Sequence, residues 1–207
     1  MQVEAGPVKL EGFLDVPETA RGLVIFVHGS GSSRHSPRNQ AVAAFLREGE
    51  ELGTLLFDLL TEEEGQVDDL TAELRFDIPM LAERVVGTIG WAREEFPDLQ
   101  LGLIGSSTGA AAALVAAAEA PVEAVVSRGG RPDLAGDALP KVHAPTMLIV
   151  GSEDTQVLEL NRQAYDRMVC EKQMIVVPGA THLFPEPGTL EAASEAARRW
   201  FRQHLAS

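Results

Sequence analysis

LIGSSTGAAAA, Leu103 to Ala113, runs from a short apolar segment through two adjacent serines into an alanine-rich segment of helical character. A chain that leaves a buried strand and enters a helix over so few residues must turn sharply, and the turn holds its central residue in a strained backbone conformation. Side chains two positions before and after that residue would collide as strand and helix converge, so both places call for glycine. Gly105 and Gly109 stand in that register about Ser107, giving G-x-S-x-G, while Ser106 has no such flanking pair and reads as the last residue of the strand. The free N–H groups at the start of the following helix favour negative charge developing beside Ser107. Taken alone, the pattern also fits a capped strand-to-helix turn without chemistry, so its partners decide.

Working outward, apolar runs of strand length alternate with longer segments of helical period. RGLVIFVHG precedes AVAAFLREGEELG, TLLFDLL precedes DIPMLAERVVGTIGWAREEF, and LQLGLIGS precedes TGAAAALVAAAEA. VEAVVS follows, then APTMLIVGS with VLELNRQAYDRMVCEK, and QMIVVPG with LEAASEAARRWFRQHL. Near-continuous apolar strands suit a parallel sheet buried on both faces, with helices packed on each side. VKLEGFLDVP alternates instead and reads as an antiparallel edge strand or hairpin. Ser36 before Pro37, and Asp77 ahead of Pro79, read as helix caps. The acidic TEEEGQVDD, Thr61 to Asp69, has no apolar period and reads as a solvated loop.

In such a sheet the carboxyl ends of the strands share one edge, where chemistry gathers. A nucleophilic serine needs a base to take its proton and a carboxylate to orient that base. Of the five histidines, His143 precedes a strand and lies at the wrong edge, and His204 sits near the chain's end. His28 and His35 precede the serine, against the order serine, acid, histidine. His182, in VPGATHLF, remains. Asp154, in LIVGSEDTQV, is the acid in the matching place, with Glu153 or Asp133 as alternatives. An oxyanion hole would combine the N–H of Thr108 with one from HGSGSS, that of Ser30, or else of Gly31 or Ser32. HGSGSS lacks the spacing and the lysine of a phosphate loop.

Length and composition agree with this reading. A chain of 207 residues with 45% hydrophobic content is expected to form one domain, 1–207. A net charge of −14 with scattered basic residues argues against nucleic acid and anionic membrane surfaces as partners. No apolar run approaches the roughly 20 residues of a membrane helix. The single cysteine, Cys170, excludes an intrachain disulfide and reads as lying mid-helix in DRMVCEK. MQVEAGPVKLEG has neither the basic start nor the apolar core of a signal peptide, so a cytoplasmic protein is expected. No cofactor and no metal site is expected, and the oligomeric state is left open.

With these phrases assembled, the chain resembles the α/β-hydrolases, and within them the small, lidless dienelactone-hydrolase-like group. The resemblance covers GLVIFVHGSGSSRHSPRN, LLFDLLTEEE, LGLIGSSTGAAAAL, VVSRGGRPDL, APTMLIVGSEDTQVLELN and VPGATHLF. It implies a three-layer α/β-hydrolase fold without a cap domain, and Ser107, Asp154 and His182 as nucleophile, acid and base. Dienelactone hydrolases proper carry a cysteine nucleophile, so the serine here points to ordinary ester chemistry rather than lactone hydrolysis. A second departure is Ser106, where similar sequences often carry alanine.

Arg34, His35, Arg38 and Asn39 follow the first of these strands, and Arg128 and Arg131 follow VEAVV. In so acidic a chain this local positive charge makes Arg34, His35 and Arg128 candidates to bind an anionic group of the substrate. The alternative is that these arginines pair with Asp58, Asp77 or the acids of TEEEGQVDD and only hold loops shut. The expected activity is hydrolysis of small carboxylic esters or thioesters. An acyltransferase using the same residues and a non-catalytic anion- or partner-binding protein are the alternatives.

Overall fold

A computed structural model describes residues 1–205, and its architecture follows from how the apolar runs are covered. β3 (Gly22–Val27), β4 (Leu52–Phe57) and β7 (Thr146–Gly151) are buried at every residue, as strands must be when helices lie on both faces. With β1 (Gln2–Ala5), β2 (Val8–Asp15), β5 (Gln100–Ser106), β6 (Ala124–Arg128) and β8 (Lys172–Val177) they form one sheet in the order β1-β2-β4-β3-β5-β6-β7-β8. From β4 to β8 all pairings are parallel, whereas β1 pairs with β2, and β2 with β4, antiparallel.

Among the described residues six α-helices complete the layers: α1 (Pro37–Arg47), α2 (Glu62–Thr71), α3 (Ile78–Glu95), α4 (Thr108–Glu119), α5 (Thr155–Arg167) and α6 (Thr189–Leu205). Side-chain alternation along the strands divides the core. Ile25, Leu55, Leu101 and Leu103 pack toward α3 and α4, with Val85, Ile89 and Leu114. Phe26, Leu56, Ile104 and Val126 face the opposite way, toward α1 and α6, with Leu46, Trp200 and Phe201. This is the mostly parallel three-layer arrangement expected from the strand–helix alternation, and no cap domain lies over the carboxyl edge among the described residues.

The Ser36 hydroxyl accepts from the Asn39 N–H, and the Asp77 carboxylate from the Met80 N–H, as the cap reading requires. VKLEGFLDVP forms a hairpin with an unanticipated partner, QVEA, so β1 rather than β2 is the sheet's edge on this side. α1 stops at Arg47 and does not run on through EGEELG, the last two residues of which, Leu52 and Gly53, already belong to β4. Cys170 is not in a helix: α5 ends at Arg167 and Cys170 lies half-buried in the turn before β8, where burial pushes its thiol pKa up.

TEEEGQVDD is not a loop. It forms most of α2, whose stability comes from its ends rather than from an apolar face. Thr61 accepts from the Glu64 N–H while the Glu64 carboxylate accepts from the Thr61 N–H, a reciprocal cap. Glu62, Glu63 and Glu64 place negative charge at the helix start, Arg84 of α3 donates to Glu64 at 2.6 Å, and buried Asp68 holds Arg75 at 2.6 Å. None of these contacts leaves an apolar period to read. Thr61→Ala should therefore lower stability by about 1 kcal/mol and increase hydrogen exchange in residues 64–71 before the rest of the chain. Unchanged exchange there would show that the cap does not hold α2.

Candidate active site

The strand-to-helix turn after β5 has the strain its sequence requires. Ser107 adopts φ 50° and ψ −125°, a left-handed conformation in a non-glycine residue. A Cβ on Gly105 would lie 2.4 Å from the Ala110 Cα, and one on Gly109 2.3 Å from the carbonyl oxygens of Val27 and His28. Glycine at both places lets α4 close on β5 and β3. Ser106 is the last residue of β5, and Ser107 occupies the N-cap position of α4 without spending its side chain on the helix amides.

Asp154 sits at the N-cap position of α5, yet its side chain caps nothing there. It is 2.6 Å from His182 Nδ1 through Oδ2, with 15% of the Asp154 side chain and 37% of the His182 side chain exposed. A capping role would have turned the carboxylate onto the α5 amides, so its direction selects the pairing reading. The two loops are laced together: Ser152 N–H donates to Val177 O, Glu153 N–H to Ala180 O, and Gly179 N–H to Ser152 Oγ. Gly151 permits this closeness, since a Cβ there would stand 2.2 Å from Ala180 O. The alternative acids are engaged elsewhere, Asp133 with Arg131 at 2.8 Å and Glu153 as acceptor from the Ser152 hydroxyl.

The loop after β6 lies between His182 and the elbow. Arg131 N–H donates to Ser107 O at 2.9 Å, while a Cβ on Gly129 would be 2.8 Å from His182 O. Among the described residues no hydrogen bond joins Ser107 to His182. Such bonds commonly shorten only when substrate arrives.

On the other side of the elbow, Gly29 packs so closely that a Cβ would be 3.0 Å from both Ser106 O and Ser107 Cβ. The Ser30 N–H donates to Thr108 Oγ1 at 2.9 Å, tying the first loop to the start of α4. His28 is excluded as a base by geometry as well as by order. Burial lowers its pKa, its Nε2 accepts the Leu59 N–H at 3.1 Å, and Nδ1 lies 2.9 Å from Gly29 O. Beyond Ser30 a cavity of about 640 Å³ opens between the first loop and α2, lined by Ser32, Arg34, Asp58, Thr61 and Asp68 among others. None of Ser107, Asp154 and His182 lines it, so it flanks the site through Ser30 rather than containing it.

The three candidate anion-binding residues have other engagements. Arg34 forms an ion pair with Asp58 and stacks its guanidinium 5.2 Å from the Phe13 ring centroid. His35 meets the same ring edge-on at 5.1 Å. Arg128 is 7% exposed and turned inward, to Asn39 and Ser106. For Arg34 the pairing alternative describes the structure. The roles of Asn39, and of the Thr108 hydroxyl as a tie to Ser30, had no signal in the sequence, because both depend on contacts between remote segments.

Residues 81–205, more than half of the chain, match the profile of the dienelactone hydrolase family. The chain belongs to the dienelactone hydrolase family. A solved dienelactone hydrolase from Anabaena variabilis is 51% identical, covers 99% of this chain and 96% of its own, and superposes with a TM-score of 0.96. A lidless α/β serine hydrolase from Xanthomonas campestris, 21% identical over 100% of this chain and 94% of its own, shares the fold with a TM-score of 0.79. A protein of Mycobacterium tuberculosis that carries the provisional name phosphoribosyl transferase is 55% identical over 210 residues. That alignment covers 99% of this chain and 46% of the mycobacterial one, so this family member spans about half the length of the curated relatives it matches. Family and fold together place the chain in the α/β-hydrolase class. No helix among the described residues is long and apolar enough to cross a membrane.

Proposed function

We propose that this hydrolase cleaves small carboxylic esters or thioesters through an acyl-enzyme on Ser107. The observation that carries the reading is the Asp154–His182 contact through Nδ1, which leaves Nε2 as the nitrogen able to take a proton from Ser107. Ser107 Oγ attacks the acyl carbon while His182 Nε2 accepts the hydroxyl proton. Asp154 holds the ring in the Nδ1–H tautomer and stabilises the imidazolium. The tetrahedral oxyanion collapses, His182 returns the proton to the departing alcohol or thiol, and water repeats the sequence to release the acid. The Thr108 N–H at the start of α4 and the Ser30 N–H are the oxyanion donors in this reading. With Arg34 already paired to Asp58 and Arg128 buried, the site favours neutral over anionic esters.

Treatment with a fluorophosphonate probe and peptide mapping tests the proposal: label on Ser107, lost in the Ser107→Ala protein, is expected. A folded protein whose Ser107 stays unlabelled and which binds esters without turnover would instead support a non-catalytic binder. Product analysis with added alcohols or thiols separates hydrolysis from acyl transfer, which the same residues would perform. The transferase name of the mycobacterial proteins belongs to chains of which this one matches 46%, and a serine–histidine–aspartate set favours acyl chemistry over phosphoribosyl transfer.

The Thr108 hydroxyl has a testable part in this scheme. It seats the Ser30 amide before substrate arrives, and an oxyanion entering the hole must share that N–H or displace the hydroxyl. Thr108→Val keeps the shape but removes the acceptor and is expected to lower kcat roughly tenfold, with Thr108→Ser recovering most of it. A Thr108→Val enzyme faster than the parent would mean that the hydroxyl obstructs the hole instead of building it.

A further inference from the structure

Arg128 ends β6 opposite Ser106 in the sheet register, and both side chains lie on the α1 face of the sheet. Its Nη2 donates to Asn39 Oδ1 at 2.7 Å and to Ser106 Oγ at 2.9 Å, joining the first turn of α1, the residue before the nucleophile, and β6. Arg128 is 7% exposed and Asn39 4%. No carboxylate forms an ion pair with Arg128 among the described residues, and its Nη1 is buried without a hydrogen-bond partner. Burial and then the nearby Arg38 guanidinium lower its pKa to about 10.

Such a cation is costly to bury, and removal of water without a counter-ion calls for a compensating role. A surface ion pair or a core hydrophobe would hold β6 to β5 without that cost. What Arg128 reaches and those could not is Ser106 Oγ, one peptide away from the strained φ of Ser107. Left-handed strain persists only where surrounding contacts over-determine it. Here the carbonyl of Ser107 is held by the Arg131 N–H, and the residue before it by Arg128, both from the same strand end and its exit loop. Gly129, between them, is pressed against the His182 carbonyl and is also bonded through its N–H to Ile149 O at 2.8 Å.

We infer that Arg128 is a positioning residue that sets the Ser107 hydroxyl through Ser106 and registers the elbow against the His182 loop, and that it does not serve as a substrate-binding group. The inference rests on the reading of Ser107 as nucleophile. It also accounts for a serine at position 106: its hydroxyl supplies one of the two acceptors that the buried guanidinium finds.

The test is a double-mutant cycle between Arg128→Met and Ser106→Ala, read as kcat and KM for a neutral and an anionic ester and as the rate of fluorophosphonate labelling, with folding checked by thermal melting. Arg128→Met should lower kcat and labelling by about ten- to a hundredfold with KM within about threefold. Ser106→Ala should lower them by about tenfold, and the double variant should be no more than about threefold below Arg128→Met, because both changes remove one linkage. Effects that multiply, or a folded Arg128→Met protein labelled within threefold of the parent rate, would overturn the inference. So would a rise in KM confined to the anionic ester, which would make Arg128 a substrate ligand. Should Arg128→Met fail to fold, Ser106→Ala decides alone, and a labelling rate within twofold of the parent rejects the proposal. Failure of the parent protein to label at all would count against the Ser107 nucleophile itself, a distinguishable result.

Discussion

Replacing Ser107 by alanine is expected to lower kcat on a small ester about a millionfold, while leaving KM and melting temperature nearly unchanged. The size follows from what is lost: the covalent path disappears, and only the oxyanion donors and substrate binding remain to assist water. Stability should hold because Ser107 makes no side-chain cap to α4, so the hydroxyl contributes little to the folded state. The measurement is a progress curve at high enzyme concentration, with an active-site titration to exclude parent enzyme carried over. A residual rate within a hundredfold of the parent would show that Ser107 is not the nucleophile.

Asp154→Asn should lower kcat by about ten-thousandfold. An asparagine fills the same volume, but an amide nitrogen facing Nδ1 would donate and so favour the tautomer with hydrogen on Nε2, which cannot accept the Ser107 proton. Because the Asp154 side chain does not cap α5, the substitution should cost little stability, and the contrast between a large kinetic and a small thermal effect is the signature sought. Activity within tenfold of the parent, in a protein with an unchanged melting temperature, would remove Asp154 from the orienting role. The alternative acids are poorly placed to take it over: Asp133 is held by the fork of Arg131, and Glu153 accepts from Ser152.

The regular layers were legible because their signals are local. β3, β5, β6 and β7 announce themselves as apolar runs, and Gly105 and Gly109 mark the elbow by their spacing about Ser107. α2 was hidden for the converse reason. Its residues bury only Asp68, and a helix held by a reciprocal cap and by ion pairs to Arg75 and Arg84 carries no hydrophobic period. β1, four residues long, has too little pattern to be recognised without its partner in the hairpin.

At the site the division falls along sequence separation. Chain order and loop position brought Ser107, Asp154 and His182 into view, since a parallel sheet sends every strand's carboxyl end to one edge. The direction of each polar side chain at that edge was another matter. Whether Asp154 would cap α5 or turn to His182, 28 residues on, depended on the lacing of two loops through Gly151 and Ala180. Arg34 was taken up by Asp58, and Arg128 found Asn39 across 89 residues, because charges near a sheet edge settle on whichever partners the fold brings within reach. By itself, then, the sequence determined the alternation of strands and helices and the strained turn that exposes Ser107, both set by short-range sterics and burial. Only the tertiary structure decided which polar groups are neutralised, which, like Asp154 and His182, are paired across loops, and which, like Arg128, stay buried beneath the Ser107 turn.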